Sequence, residues 1–115
     1  MAGGRLGAGS MGANAWTMIY ECPENKQYAS IKIHVINRSA TETYVDIALS
    51  TGDGVTVNTD EYLEYQTMIV GHGSIERSGI VVANGTKIMT RSSNADSTTV
   101  VHGIEVDDPT ALPTP

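Results

Sequence analysis

Phenylalanine is absent from this 115-residue chain, cysteine occurs once, and aromatic residues make up only 5% of it. A lone Cys22 excludes an intrachain disulfide and any cysteine-based zinc site, and is expected to be a plain, partly buried thiol. Without phenylalanine the core has to be built from Ile, Val, Leu and Met around Trp16 and a few tyrosines, which suits a thin sandwich. Basic charge is scarce as well: 7 Lys and Arg against 13 Asp and Glu leave a formal net charge of −6. Neutralising phosphates needs clustered cations, so nucleic acid is not an expected partner. No apolar run approaches the roughly 18 residues that would cross a bilayer, and no membrane partner is expected either. Charged residues reach only 17%, below the roughly one quarter usual in globular domains, which implies that neighbours cover part of the surface.

What is abundant is small residues, and nowhere more than at the start. MAGGRLGAGSMGANA holds five glycines and four alanines. Glycine interrupts every apolar pair, so a secretory leader does not fit; Arg5 is the one charge before Glu21, so a transit peptide does not fit; and Ala2 stands where myristoylation needs glycine. The expectation is a flexible arm over residues 1–15 that orders only against a partner, with Arg5, Leu6, Met11 and Trp16 as its anchoring side chains.

From Trp16 onward the apolar period is two, the spacing of a strand with one face buried. WTMIYE (16–21), SIKIHVIN (30–37) and ETYVDIALS (42–50) alternate in this way, and SIKIHVIN does so most clearly, with Ile31, Ile33 and Val35 opposite Lys32 and His34. TGDGVTVNTD (51–60) reads as a loop in which VTV adds at most a brief strand, and EYLEYQTMIV (61–70) resumes extended structure. Asn84-Gly85 is the strongest hairpin signal: a type I′ turn there would join residues 80–83 to TKIMTRS (86–92). TTVVHGIEV (98–106) is the last strand, and DDPTALPTP closes the sequence as an extended, proline-bearing tail. No window keeps helical spacing over three turns. The fold expected is all-β, an antiparallel β-sandwich or jelly roll of about seven to eight short strands over residues 16–106, with 107–115 as the tail.

Chemistry-bearing groupings are thin. His34, His72 and His102 stand 38 and 30 residues apart, without local metal spacing, and default to exposed histidines. Asp53, Asn58, Asp60 and Glu61 offer oxygen ligands within nine residues but lack the pattern of an EF-hand loop, so a solvated loop is the simpler reading. No G-x-S-x-G elbow occurs, and no glycine-rich turn leads into a Lys-Ser/Thr pair; no catalytic residues, metal or cofactor are expected. Asn37-Arg38-Ser39 and Asn84-Gly85-Thr86 match a glycosylation pattern, yet both fall where turns favour asparagine. Tyr62 and Tyr65, three residues apart in a strand, should face opposite sides, so one of them is exposed as an amphipathic partner surface; Glu76 and Arg77 are the other candidates on the sandwich surface.

GGRLGAG near the start, INRS (36–39), EYLEY (61–65), IERSGIV (75–81) and HGIEV (102–106), taken in order, resemble a group of small tailed-phage virion structural proteins. The likeness covers most of the chain loosely. It departs in a longer loop around 51–60 and in the acidic tail after Val106. The resemblance implies a compact, non-enzymatic β-sandwich that binds the major capsid protein or other virion subunits, assembles in the host bacterial cytoplasm, and forms a homotrimer or higher oligomer. It points first to a capsid decoration or cement protein whose Gly/Ala arm clamps neighbouring subunits. A neck, tail, baseplate or fibre-attachment adaptor is the alternative. A carbohydrate- or calcium-binding sandwich using Tyr62, Tyr65 and the 53–61 loop is the second.

Overall fold

The computed structural model describes residues 2–52 and 57–107. Eight strands follow one another: β1 (Ala2–Met11), β2 (Thr17–Glu21), β3 (Lys26–Asn37), β4 (Thr43–Ser50), β5 (Tyr62–Ile69), β6 (Ser74–Ala83), β7 (Lys87–Ser92) and β8 (Ser97–Asp107), with a single 3₁₀ turn at Thr59–Glu61 before β5. Alternation explains most of them. In β3, Ile31, Ile33 and Val35 are buried while Lys32 and His34 stand on the other side.

The strands form two four-stranded antiparallel sheets, β1-β8-β3-β6 and β2-β7-β4-β5. Strands pair as β1 with β8, β2 with β7, β3 with β6 and β4 with β5, as in one long hairpin wound into two layers, and β8-β3 and β7-β4 contacts then complete each sheet. That is the double-sheet jelly roll. Of the consecutive strands only β4 and β5 share a sheet. Between the layers Ile33, Val35, Val45, Ile47, Ile88 and Val101 are fully buried. Buried polar groups find partners there: Thr99 Oγ1 lies 3.1 Å from Thr90 Oγ1 and 2.9 Å from Met11 Sδ. At one end Asn37, with no exposed surface, donates its amide to the carbonyls of Thr41, Ile69 and Val70 and so ties the β3–β4 loop to the β5–β6 turn.

Three local expectations are corrected. Residues 2–11 are not a free arm but the edge strand of a sheet, paired with β8 from Ala2–Glu105 to Met11–Ser97. The body of the sandwich therefore starts at Ala2 rather than at Trp16. The small residues serve close approach: a Cβ on Gly7 would overlap the carbonyl oxygen of Ile19 in β2, and one on Gly9 would meet the Ile19 side chain at 3.0 Å. A β-bulge between Arg5 and Gly7 turns Leu6 onto the core, and Met11 is buried within it. Strand β1 thus needs glycine to lie against β2, not to stay mobile.

The Asn84-Gly85 turn does join β6 to β7, but as a crossing between sheets and not as a hairpin. Thr86 N–H donates to Ala83 O, and φ is positive at Gly85 (+79°) but not at Asn84, the signs of a type II turn. The neighbouring peptides bond instead to the β2–β3 connection, Gly85 N–H to Cys22 O at 2.8 Å and Cys22 N–H to Thr86 O at 2.9 Å. Tertiary pairing overrides the local signal. Residues 53–56 and 108–115, which hold most of VTV, Asp53 of the calcium reading and most of the tail, lie outside the described residues.

Candidate docking face

Strand β4 sends Val45 and Ile47 into the core, which leaves Tyr44, Asp46 and Ala48 on the outer face of the β2-β7-β4-β5 sheet. Outer positions are normally wet, yet Asp46 is 6% exposed and Ala48 not at all. Register explains the grouping. Met18, Met89, Ala48 and Tyr62 stand opposite one another across all four strands, and Arg91 stands opposite Asp46 in the next row. Met89 and Ala48 are buried but lie apart from the inter-sheet core, so this face holds a second, smaller apolar cluster.

Trp16 closes it. Its ring centroid is 5.8 Å from that of Tyr62 and 4.4 Å from the Arg91 guanidinium carbon, which sets the indole across the rows that hold Ala48 and Asp46. Both Arg91 Nη2 and Nε donate to Asp46 Oδ2, at 2.7 and 3.0 Å, while Asp46 Oδ1 accepts the Gln66 backbone N–H at 2.7 Å. The two central charges of this face, Asp46 and Arg91, therefore neutralise each other. An aromatic ring over the guanidinium adds a cation–π contact to the pair.

Tyr62 and Tyr65 do not face opposite sides as regular strand spacing requires. Strand β5 shifts register twice against β4, and Gln66 takes a left-handed φ of +49°. This irregularity turns the Tyr65 ring back against Tyr62, edge-on at 5.0 Å and 87°. Trp16, Tyr62 and Tyr65, chosen from the sequence as separate candidates, thus form one aromatic run. Tyr65 is its outermost member at 62% exposure. A concavity of about 360 Å³ opens between Thr59, Tyr62 and Tyr65. Further along the same face Tyr44 and Met68 are paired across β4 and β5, and both are about half-exposed, as is Met18 at the far edge. The sequence reading missed Met18, Tyr44 and Met68; the signal was present in the outward phase of TMIYE, TYVDIALS and YLEYQTMI.

The remaining candidates lie elsewhere. Leu6 and Met11, expected to anchor a partner, pack into the chain's own core because the bulge and β1–β8 pairing turn them inward. Arg5 is exposed on the outer face of the other sheet, opposite His102. Arg77 on edge strand β6 pairs with Glu64 on edge strand β5 at 3.1 Å and closes that rim of the sandwich, and Glu76 stands opposite His34 with Lys32 Nζ at 3.8 Å. Glu61 of the calcium reading accepts backbone N–H groups from Asn58 and Thr51, as a turn cap does. Among the described residues no group of three or more His, Cys, Asp or Glu side chains is placed to hold a metal ion.

A buried polar pair sits at the β1–β2 end, where Tyr20 donates to Glu105 Oε2 at 2.5 Å. Burial first, and then the Glu105 bond, push the Tyr20 hydroxyl far above the usual tyrosine range, and burial likewise raises the Cys22 thiol. Both groups are held neutral and serve the fold. Compared with known protein families, curated proteins and solved structures, the chain matches none.

Proposed function

We propose that the chain is a non-enzymatic structural protein of a phage virion, of the capsid decoration kind, which docks on a neighbouring virion subunit through the outer face of the β2-β7-β4-β5 sheet. The observation that carries this reading is that Met18, Tyr44, Tyr65 and Met68 are exposed together on a sheet face whose central charges, Asp46 and Arg91, already satisfy each other. Protein interfaces are enriched in aromatic residues and methionine and are poor in unpaired charge at their centre. A face of this kind offers apolar contact without desolvating a free ion at its centre. Jelly rolls serve as capsid and lectin domains, and the ordered likeness of INRS, EYLEY, IERSGIV and HGIEV to virion proteins favours the former.

Attachment then rests on the folded sheet and not on a free arm, since residues 2–11 are occupied as β1. Quantitative mass spectrometry of purified virions, with heads and tails separated, tests the proposal. Copies comparable to the major capsid protein and confined to heads support decoration. A few copies in the tail fraction would favour the adaptor reading, and none in either would contradict a virion role.

A further inference from the structure

A strip on the outer face of the β1-β8-β3-β6 sheet holds Arg5, Lys32 and Arg38, three of the chain's seven Lys and Arg residues. Arg5, His102 and Lys32 stand directly opposite one another on β1, β8 and β3, at the roughly 5 Å spacing of adjacent strands. His34 follows two residues along the same face of β3. Arg38, just beyond β3, donates from Nε to the Thr98 hydroxyl on that face at 3.0 Å. Six residues of strand separate Lys32 from Arg38, so the strip runs about 20 Å.

Among the described residues, Lys26, Lys32, Arg77, Lys87 and Arg91 each have a carboxylate within 4.0 Å, and Arg5 and Arg38 have none. The two cations without a carboxylate therefore both lie on this face, one toward each end of the strip. Alongside it Ile104 and Val81, joined across Ser30 in register, are exposed at 43% and 63%.

We infer that this strip is a binding surface for a linear anionic polysaccharide. Charge complementarity favours an anionic ligand, and the length of the strip, about 20 Å, fits an extended chain. The apolar margin at Ile104 and Val81 suits the C–H faces of sugar rings. The inference concerns the face opposite the proposed docking surface and does not depend on the virion reading.

Heparin, a sulfated linear polysaccharide, is the probe. Isothermal titration at low ionic strength compares the wild-type chain with the exposed-site variant Arg5→Gln/Arg38→Gln and with Tyr65→Ala on the other face. Expected are binding that weakens steeply with added salt, a loss of about tenfold in the double variant, and no change in Tyr65→Ala. Absence of heparin binding by the wild type, salt-insensitive binding, or equal binding by the double variant would overturn the inference. So would polyglutamate or DNA binding as tightly as heparin, since either would make the strip a general anion surface.

Discussion

The two outer faces of this sandwich treat charge in opposite ways. On the β2-β7-β4-β5 sheet the outward Asp46 and Arg91 are joined in register, and Trp16 stacks on the guanidinium. On the β1-β8-β3-β6 sheet the cations Arg5 and Lys32 share one register row on either side of His102, and Glu76 reaches only Lys32. Cross-strand pairing is the same device in both cases. What differs is the sign of the charged residues in a row and the aromatic ring stacked on one of them, and this separates the face proposed to meet a protein surface from the one proposed to bind an anionic chain.

The comparison can be broken most severely at the strand that carries Arg5. Gly7→Val would drive a branched side chain into the Ile19 carbonyl and lift β1 from its place, and is expected to cost about 3 kcal/mol in urea denaturation and to abolish heparin binding together. Trp16→Ala should cost about 2 kcal/mol, below the range for a fully buried ring because the indole is only half-buried. Arg91→Ala leaves the Asp46 carboxylate nearly buried without its partner, and since the guanidinium is partly exposed the expected loss is about 1.5 kcal/mol. Combining the last two tests whether indole and guanidinium act together: a double-mutant cycle should return a coupling of about 0.5–1 kcal/mol, whereas additive losses would mean that the stack contributes nothing. Tyr65→Ala and Met68→Ala should stay within about 0.5 kcal/mol of wild type while reducing particle attachment, the combination expected of residues kept exposed for a partner.

The smallest effect is one of pH. The Lys26 ammonium donates to Asp107 at 2.6 Å; this bond, and then its charge, lowers the Asp107 carboxyl below the usual aspartate range and raises Lys26 above the usual lysine range. For a carboxyl lowered on folding, the stabilisation is present above its unfolded value of about 3.9 and is lost as pH falls through the lower folded value. For the lysine, it is present below about 10.4 and is lost as pH rises through the raised folded value. Lys26→Met should therefore flatten the acid limb of the stability profile slightly, as read by thermal unfolding between pH 2 and 5.

The fold class was legible because alternation in SIKIHVIN and ETYVDIALS places Ile31, Ile33, Val35, Val45 and Ile47 on single faces, and burial follows that phase. The opening segment was misread because glycine signals freedom in isolation, while the reason for Gly7, the closeness of Ile19, is a tertiary fact. Asn84-Gly85 reported a turn correctly but not its sheets, since the bonds that decide the crossing run to Cys22, far away in sequence. Tyr62 and Tyr65 were found as candidates and placed on the wrong faces, because two register shifts against β4 cannot be read from spacing. Trp16 was found for a partner and lies instead across its own sheet, where it completes the face.

That face is expected to be covered in the assembled particle. Hydroxyl-radical footprinting reads it within one residue type, because Met18 and Met68 are exposed on the docking face while Met11 and Met89 are buried in the folded chain. In the free protein Met18 and Met68 should oxidise rapidly and Met11 and Met89 slowly. In purified virions Met18 and Met68 should become protected while His102, on the opposite face, stays reactive. Met18 and Met68 oxidising as fast in the particle as in solution would contradict the docking face directly.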